Sequence, residues 1–494
     1  METQPAWKKY SEEDLAELER ICADYIDFIS KYKTEREFAS AAIEIAEQAG
    51  YVDLYEAFDE GRALKPGDKV YAQTHGKAVI LTQIGTEPLV NGFNILGAHI
   101  DSPRLDLKQN PLFERNGLVH LDTHYYGGIK QYQWVTIPLA LHGVIAKKDG
   151  SVVTVNVGED AGDPVFCVSD LLIHLAKDQM QKKASEVVAG EDLDVLVGSR
   201  PMIVPDDEDV DAANEGADAP KKESDLQELA KKEPVKAYAL QLLDEKYGME
   251  EEDFLSAEIE VVPAGPAREM GFDRSMILGY GQDDSVCAYP SLLAQLALDE
   301  VPGRAAMTVL VDKEEIGSVG ATGMASQFFE NIVAVIMELA GEGGDINLRR
   351  ALAASSMLSS DVSAGLDPAY ASVFEPKNAA YLGHGVVFNK YTGSRGKSGS
   401  NDASAEYVAR IRRIMDDANV SIQFAELGKV DAGGGGTIAY LPAKYGMDVI
   451  DSGVAVLSMH APWEVTSKAD VYEAYRGYLA FLCDAGPSAR VPQH

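Results

Sequence analysis

Cysteine is scarce in this sequence, which has four cysteines among its 494 residues. Cys22, Cys167, Cys287 and Cys483 are far apart and form no CxxC pair, so the sequence predicts neither a disulfide framework nor a thiolate zinc site. No stretch approaches the ~20 consecutive apolar residues that a membrane-spanning helix needs. The N-terminus also lacks the apolar run of a signal peptide. We therefore expect a cytoplasmic protein that has no membrane partner.

Positively charged residues are also scarce relative to negatively charged ones. The chain has 44 lysines and arginines against 79 aspartates and glutamates, which gives a formal net charge of −35. Proteins that bind nucleic acid present a basic face that neutralises phosphates, so this balance predicts that nucleic acid is not a partner. The same balance disfavours anionic membrane surfaces, and a large net charge is typical of a soluble protein.

Periodic patterns of apolar residues predict an α/β protein. Residues 11–50 have the pattern of amphipathic helices, and Ser11 and Asp14 have the spacing of a capping box. Residues 467–483 predict a further helix with one apolar face. Short apolar runs that alternate with helical stretches predict buried strands of a sheet covered on both faces. The runs are 94–98, 306–311, 332–337, 357–360 and 454–459.

A second pattern interrupts the first. Between about 103 and 157, alternating apolar positions and short glycine turns predict antiparallel strands, and a helical pattern follows at 170–183. Residues 206–234 contain eleven acids and four lysines with almost no large apolar side chain, which predicts a mobile surface loop. We therefore predict a mixed-sheet α/β/α domain of residues 1–104 and 259–494, interrupted by a β-rich domain of residues 105–258.

Five short segments place histidines and carboxylates where strands are predicted to end. In open α/β sheets, ligand sites gather beyond the carboxyl ends of strands, and imidazole with carboxylate suits Zn²⁺, Mn²⁺ or Co²⁺. Each segment alone is weak evidence, because a His-x-Asp triplet and a pair of glutamates are common in an acidic protein. Together they predict a metal centre. The segments are 97–103, 281–285, 312–317, 359–361 and 458–462.

The motifs in and around these segments resemble those of a known family. They are GAHIDSPRLDLK, YGQDDSVCAY, DKEEIGS, SSDVSAG and SMHAPWE. Their order resembles that of the M18 metallo-aminopeptidases, the family of aspartyl aminopeptidase and the vacuolar aminopeptidase I of yeast, and the similarity spans nearly the whole chain. The GQDDSVCAY form is closer to a bacterial branch of the family than to the aspartyl enzymes, which have a DN pair there.

The resemblance implies an aminopeptidase with a dinuclear metal centre that acts on short peptides. It implies two divalent ions per subunit, Zn²⁺ with Co²⁺ or Mn²⁺ as alternatives. Asp283 would bridge both ions. His99 and Asp361 would complete the shell of one ion, and Glu315 and His460 the shell of the other.

The resemblance also implies roles outside the metal shell. Glu314 would be the general base. Asp101 would contact the ring nitrogen of His99 that does not bind metal and so fix the tautomer of His99. His174 resembles a family histidine that reaches the active site of a neighbouring subunit, and Lys390 lies near a family substrate-pocket lysine. The alternative interpretations are that His174 is an ordinary histidine of a helix and that Lys390 is a surface lysine. Because family members assemble through the inserted domain, often as dodecamers, the resemblance implies a homo-oligomer.

Two alternative functions stay open in the sequence. One is a related dimetal deacylase or carboxypeptidase, which would need an arginine for the free carboxylate of its substrate. The other is a non-catalytic oligomeric scaffold or peptide-binding protein, which the presence of all five ligands and Glu314 disfavours. The preferred N-terminal residue is also open. Lys390 would suit an acidic residue, whereas the Asp283–Asp284 pair departs from the aspartyl form and favours a neutral or broader preference.

Overall fold

The computed structural model describes residues 4–204, 221–393 and 396–485. The chain divides into two compact units. Unit 1 consists of Met1–Ser102 and Pro266–His494, and unit 2 consists of Pro103–Gly265. Unit 2 is therefore one continuous segment, whereas unit 1 is assembled from two segments that are distant in sequence.

Both units contain strands and helices, numbered here along the chain. The strands in the described residues are β1 (Val52–Asp53), β2 (Lys69–Thr74), β3 (Ala78–Gln83), β4 (Phe93–His99), β5 (Arg104–Arg115), β6 (Leu118–Tyr126), β7 (Leu139–Ala146), β8 (Val152–Val157), β9 (Cys167–Val168), β10 (Val195–Gly198), β11 (Ala257–Pro263), β12 (Arg268–Met270), β13 (Met276–Gly279), β14 (Ala305–Val311), β15 (Ser356–Ser360), β16 (Ser363–Ala364), β17 (Val386–Asn389), β18 (Ile422–Phe424), β19 (Asp448–Gly453), β20 (Ala455–Leu457) and β21 (Glu464–Ser467). The α-helices there are α1 (Glu12–Lys31), α2 (Glu35–Gln48), α3 (Leu54–Asp59), α4 (Lys221–Ala230), α5 (Pro234–Tyr247), α6 (Gln282–Leu296), α7 (Phe328–Leu339), α8 (Asp345–Ala354), α9 (Ala405–Asp417), α10 (Tyr440–Ala443) and α11 (Lys468–Cys483).

The main sheet of unit 1 is mixed and has nine strands in the order β1-β2-β3-β14-β4-β15-β19-β17-β18. Its centre, β14-β4-β15-β19, is parallel throughout. Successive residues of a strand point to opposite faces of the sheet, and helices cover both faces. Leu96 and Leu310 pack with α1, α2, α6, α9 and α11, and Ile95 and Val309 pack with α3, α7, α8 and α10. The predicted α/β/α architecture is confirmed.

A smaller sheet in unit 1 has the order β12-β13-β21-β20-β16. It contains the strands on either side of the segment that carries His460, because β20 ends at Leu457 and β21 begins at Glu464. The two strands pair in antiparallel fashion. The His460 segment is therefore a turn held at both ends by one sheet.

Most of the elements predicted for unit 1 are confirmed. Helix α1 begins after Ser11, whose side chain and Asp14 form the predicted capping box. The predicted terminal helix is α11. The strand predicted at 332–337 is wrong, since these residues lie inside α7. A short buried apolar run does not distinguish a strand from a helix with a buried face, and here the buried side chains follow helical spacing.

Unit 2 is built on one antiparallel sheet with the strand order β8-β7-β11-β5-β6-β10-β9, as predicted for its first half. The helix predicted at 170–183 is wrong, because this segment consists of turns and a short 3-10 helix, Gln179–Gln181. Its apolar side chains face outward, so no packing stabilises a helix there. The exposed side chains are Leu171, Leu172, Ile173, Leu175 and Met180, with exposed fractions of 47–68%.

The acidic segment 206–234 is only partly covered by the described residues, which resume at Lys221. Its second half is helical, not a mobile loop as predicted, because α4 occupies Lys221–Ala230. Ala230 is buried, and Leu226 and Leu229 are half-buried and lie near Leu240 of α5. The prediction failed because two leucines spaced by three residues suffice for a helix that packs on a neighbour.

Among the residues that the structure covers, none of the helices combines the length and the apolar character that crossing a bilayer requires.

Asn94, a buried polar residue of β4, anchors the C-terminal end of α11. Its Nδ2 donates to the carbonyl oxygens of Phe481 and Asp484 at 3.2 and 2.6 Å. Its Oδ1 accepts from Arg304 and Arg410, each at 3.4 Å. The last carbonyls of a helix lack i+4 partners within the helix, so this one side chain adds hydrogen bonds at the end of α11 and links it to β4, Arg304 and Arg410.

Asn94→Leu should lower the free energy of unfolding by about 2–4 kcal/mol, because it removes up to four hydrogen bonds of a buried side chain. Thermal unfolding followed by circular dichroism measures the effect. The matched control is Asn331→Leu on the exposed surface of α7, which should change stability by less than about 0.5 kcal/mol. Equal melting temperatures for the two variants would contradict the anchoring role of Asn94.

Candidate metal centre

Three adjacent parallel strands end at one place in unit 1. His99 is the last residue of β4, Asp361 follows β15, and Glu314 and Glu315 form a 3-10 turn soon after β14. Strand β4 lies between β14 and β15 and is parallel to both, so their carboxyl ends lie side by side. Gly453 allows the close approach of β19, since a Cβ there would lie 1.7 Å from the Asp361 carbonyl oxygen.

The fourth contribution comes from the start of α6. Gly281 precedes the helix with a φ of 69°, in the left-handed region that suits glycine, and the chain then turns Asp283 toward the strand ends. Ser102 Oγ donates to the Asp283 carbonyl oxygen at 2.8 Å. Asp283 Oδ1 lies 3.2 Å from His99 Nε2, and Oδ2 lies 3.2 Å from His460 Nε2. Asp283 is therefore the residue that the two histidines share.

The side chains form two groups with the geometry of metal sites. One contains His99, Asp283, Asp284 and Asp361, and the other contains Asp283, Glu315 and His460. Within each group, one potential ligand atom per residue lies within 4.8 Å of the others.

Unpartnered oxygens point to cation binding at these groups. Among the described residues, Asp284 Oδ1 and Glu315 Oε1 are buried and accept no hydrogen bond, although His460 Nε2 lies 3.8 Å from Glu315 Oε1; burial of such oxygens costs free energy unless a cation or donor is bound. The donor set of imidazole nitrogens and carboxylate oxygens matches the preferences of Zn²⁺, Mn²⁺ and Co²⁺. The residues present therefore fit a divalent metal ion.

Asp101 connects the end of β4 to the turn after β14. The Nδ1 of His99 lies 3.0 Å from the Asp101 carbonyl oxygen and 3.3 Å from Asp101 Oδ1. The two carboxylate oxygens of Asp101 also accept the backbone N–H groups of Glu314 and Glu315, at 3.1 and 3.2 Å. Because Nδ1 faces Asp101, the Nε2 atom of His99 faces Asp283.

Burial and mutual repulsion dominate the electrostatics. Burial is the main cause that raises the pKa of Glu314 to about 7; the charge of His99 opposes this effect, and repulsion by Asp283 and Asp101 adds to it. Burial likewise raises the pKa of Glu315 and Asp361 well above the usual carboxyl range. Burial also acts on Asp283, but its contacts with His460 and His99 outweigh this and lower its pKa. Asp283 is thus the carboxylate whose charge the histidines already match.

The structure adds two residues that the sequence analysis did not assign. Asp284 Oδ2 accepts the backbone N–H of His99 at 3.3 Å, and Glu464 is a buried carboxylate beside the His460 turn. Both lie within the quoted motifs, Asp284 next to Asp283 and Glu464 at the end of SMHAPWE. Their positions within the motifs could have indicated a role at the site. An acidic residue next to a motif histidine or aspartate can, however, also be an ordinary surface residue.

The two predicted substrate residues are not part of this cluster of contacts. His174 lies in unit 2, where it is exposed in the irregular segment that was predicted to be helical. Lys390 follows β17 in unit 1 and forms an ion pair with Asp402. Asp402 also pairs with Lys397, at 3.0 Å. The other seven predicted site residues lie together: His99, Asp101, Asp283, Glu314, Glu315, Asp361 and His460.

Comparison with known proteins gives a single family. The family model of the aminopeptidase I zinc metalloproteases, M18, matches residues 28–482. A relative from Clostridium acetobutylicum, named "Probable M18 family aminopeptidase 1", is 57% identical over 477 residues, which is 97% of each chain. A crystal structure of an M18 family aminopeptidase from Thermotoga maritima has a TM-score of 0.87 at 42% identity, and covers 98% of this chain and 99% of its own. The crystal structure of aminopeptidase I from C. acetobutylicum has a TM-score of 0.86 at 54% identity. The match covers 98% of this chain and 100% of that one.

Adding Zn²⁺ to chelator-treated protein should raise the melting temperature by several degrees. A ligand at 100 times its dissociation constant stabilises the native state by about 2.7 kcal/mol, and the repulsion among the carboxylates adds to the expected gain. Differential scanning fluorimetry with and without Zn²⁺ makes the comparison. His99→Ala should lose most of the shift, whereas a Zn²⁺ response equal to that of the unaltered protein would place the metal elsewhere.

Proposed function

The chain belongs to the M18 family of zinc metallo-aminopeptidases, and on that basis we propose that it removes N-terminal residues from short peptides with two divalent metal ions. The observation that carries this proposal is the position of Asp283. Each of its carboxylate oxygens faces a histidine, at 3.2 Å in both cases, as a residue that bridges two ions requires. The family comparisons favour this function over a deacylase, a carboxypeptidase or a scaffold.

We assign the ligands from the two groups of side chains. His99, Asp283 and Asp361 hold one ion, and Asp283, Glu315 and His460 hold the other. Glu315 Oε1 is buried, accepts no hydrogen bond from the described residues and lies 3.8 Å from His460 Nε2, which supports a ligand role for Glu315. Zn²⁺ is the preferred ion, with Co²⁺ and Mn²⁺ as alternatives, because imidazole and carboxylate ligands accept all three.

Glu314 is the proposed general base. It shares the turn of Glu315, but the metal-binding groups include Glu315 and leave Glu314 out. When bound, the ions polarise the scissile carbonyl and lower the pKa of the attacking water. A carboxylate oxygen of Glu314 accepts the proton of that water and passes it to the leaving amine. Asp101 holds the backbone N–H of Glu314 and so fixes the turn from which the base acts.

The contacts of Lys390 support a preference for neutral N-terminal residues. A lysine that recognises an acidic substrate side chain needs an unmatched positive charge, but Lys390 pairs with Asp402. Hydrogen bonds from Lys390 and Lys397 lower the pKa of Asp402, so this carboxylate is charged near neutral pH. An acidic substrate would have to displace Asp402 to reach Lys390.

We also propose a homo-oligomer formed through unit 2. The apolar side chains of residues 171–180, exposed in the single chain, support an interface, because contiguous exposed apolar side chains mark association sites. His174 lies among them, in keeping with a role at the active site of a neighbouring subunit. Mass measurement by light scattering tests the assembly, with a dodecamer as the expected state and a monomer as the contrary result. The cytoplasmic location stays a prediction.

Activity is tested with aminoacyl-p-nitroanilides that carry acidic, basic and neutral residues. Enzyme stripped of metal should release no nitroaniline, and restoring Zn²⁺, Mn²⁺ or Co²⁺ should restore release, fastest for neutral residues. Binding of two ions without release would favour the deacylase or carboxypeptidase. Absence of both binding and release would favour the scaffold.

The two adjacent glutamates should respond differently to substitution. Glu314→Gln should retain both metal ions and lose about 10²–10⁴-fold in kcat, because a general base contributes that much. Glu315→Gln should lose one ion. Metal content by plasma mass spectrometry and steady-state kinetics measure the two effects, and the reverse pattern would exchange the assigned roles.

Asp402→Asn should increase the relative activity on acidic substrates. It removes the charge that matches Lys390, so kcat/KM for the glutamyl substrate should rise several-fold relative to the leucyl substrate. Asp402→Asn combined with Lys390→Met is the control and should abolish the gain. An unchanged ratio in Asp402→Asn would place Lys390 outside the substrate pocket.

A further inference from the structure

Glu464 joins the two segments that carry Asp283 and His460. Its Oε2 accepts the backbone N–H of Asp283 at 3.0 Å, and its Oε1 accepts the backbone N–H of His460 at 2.7 Å. The Glu464 carbonyl oxygen accepts from Gln282 Nε2 at 2.7 Å. One residue at the start of β21 is therefore bonded to the start of α6 and to the turn before β21.

His460 depends on this support more than His99 and Asp283 do. Its side chain is 34% exposed, whereas the side chains of His99 and Asp283 are buried, so packing alone does not fix its position. Its backbone has a φ of 64°, in the left-handed region that is unfavourable for residues other than glycine. The hydrogen bond from the His460 N–H to the buried Glu464 side chain helps to hold that conformation.

We propose that Glu464 is a positioning residue of the metal centre, which sets the distance between the bridging Asp283 and His460 by holding both backbones on one carboxylate. This inference rests on the proposed function, since it assumes that these two residues bind metal. Glu464 does not touch the ligand atoms of the centre in these contacts. It acts through the backbone, and its effect is on metal affinity and coordination geometry.

The matched control is Asp470 of α11, a second buried carboxylate that accepts two backbone N–H groups. Asp470 Oδ2 accepts from Gly383 at 2.6 Å and Oδ1 accepts from Gly385 at 2.7 Å. Neither glycine belongs to the proposed metal centre. Loss of either carboxylate removes the same kind of hydrogen bonds, so the two residues separate a general loss of stability from a loss of metal geometry.

The experiment compares Glu464→Gln with Asp470→Asn in the full chain. Each amide keeps one acceptor oxygen and presents an N–H₂ group to the second backbone N–H. Both variants should have lower melting temperatures. Glu464→Gln should also bind Zn²⁺ about 10–100-fold more weakly in chelator competition, as is typical for residues that support metal ligands. Its Co²⁺ form should have a shifted visible absorption band, and its kcat should fall more than its KM rises. Asp470→Asn should keep the Zn²⁺ affinity and the Co²⁺ spectrum of the unaltered protein.

The contrary outcomes are distinct. Glu464→Gln with unaltered Zn²⁺ affinity and Co²⁺ spectrum would overturn the inference and leave the proposed function intact. Equal losses of affinity in Asp470→Asn would also overturn it, because the effect would then follow stability. If the unaltered protein bound no Zn²⁺, the proposed function would fail and the inference with it. Should Glu464→Gln not fold, Glu464→Asp keeps the carboxyl group on a shorter side chain and should weaken Zn²⁺ binding in the same direction.

Discussion

A buried carboxylate must be matched by positive charge or by hydrogen-bond donors, because desolvation of an isolated charge is very costly. The centre of unit 1 contains two kinds of carboxylate in this respect. Asp101 and Glu464 each accept two backbone N–H groups, so both oxygens of each side chain have hydrogen-bond partners within the chain. Glu315 and Asp361 belong to the candidate metal-binding groups, and burial, to which repulsion by neighbouring carboxylates adds, raises their pKa. The first kind maintains the shape of the site, and the second kind gives it affinity for cations.

The rest of unit 1 can be understood as the support for that arrangement. Three parallel strands bring His99, Asp361 and the Glu314–Glu315 turn together at their carboxyl ends, and the N-terminus of α6 adds Asp283. Helices on both faces exclude water from the sheet, which strengthens the electrostatic interactions at the carboxyl ends of its central strands. The fold and the site thus depend on each other, since the same strand ends that complete the hydrophobic core also bring the ligands together.

The sequence predicted the α/β/α architecture, the antiparallel insertion and the clustering of seven site residues. These features depend on periodicity and on motifs, which are local. It mispredicted 332–337 as a strand, because burial on a helix face and burial in a sheet produce the same short apolar run. It mispredicted 170–183 as a helix, since the pattern did not reveal that the apolar side chains stay exposed in the single chain. The pairing of Lys390 with Asp402 and the double contact of Glu464 depend on segments that meet only in the folded chain.

The discontinuity of unit 1 has a consequence for synthesis on the ribosome. Pro103–Gly265 is a continuous segment, so all the residues of its internal contacts leave the ribosome while the remainder is still being translated. His99 is made early, but His460 emerges only on the order of tens of seconds later at typical elongation rates. The nascent chain therefore has an incomplete peptidase centre until translation is almost finished.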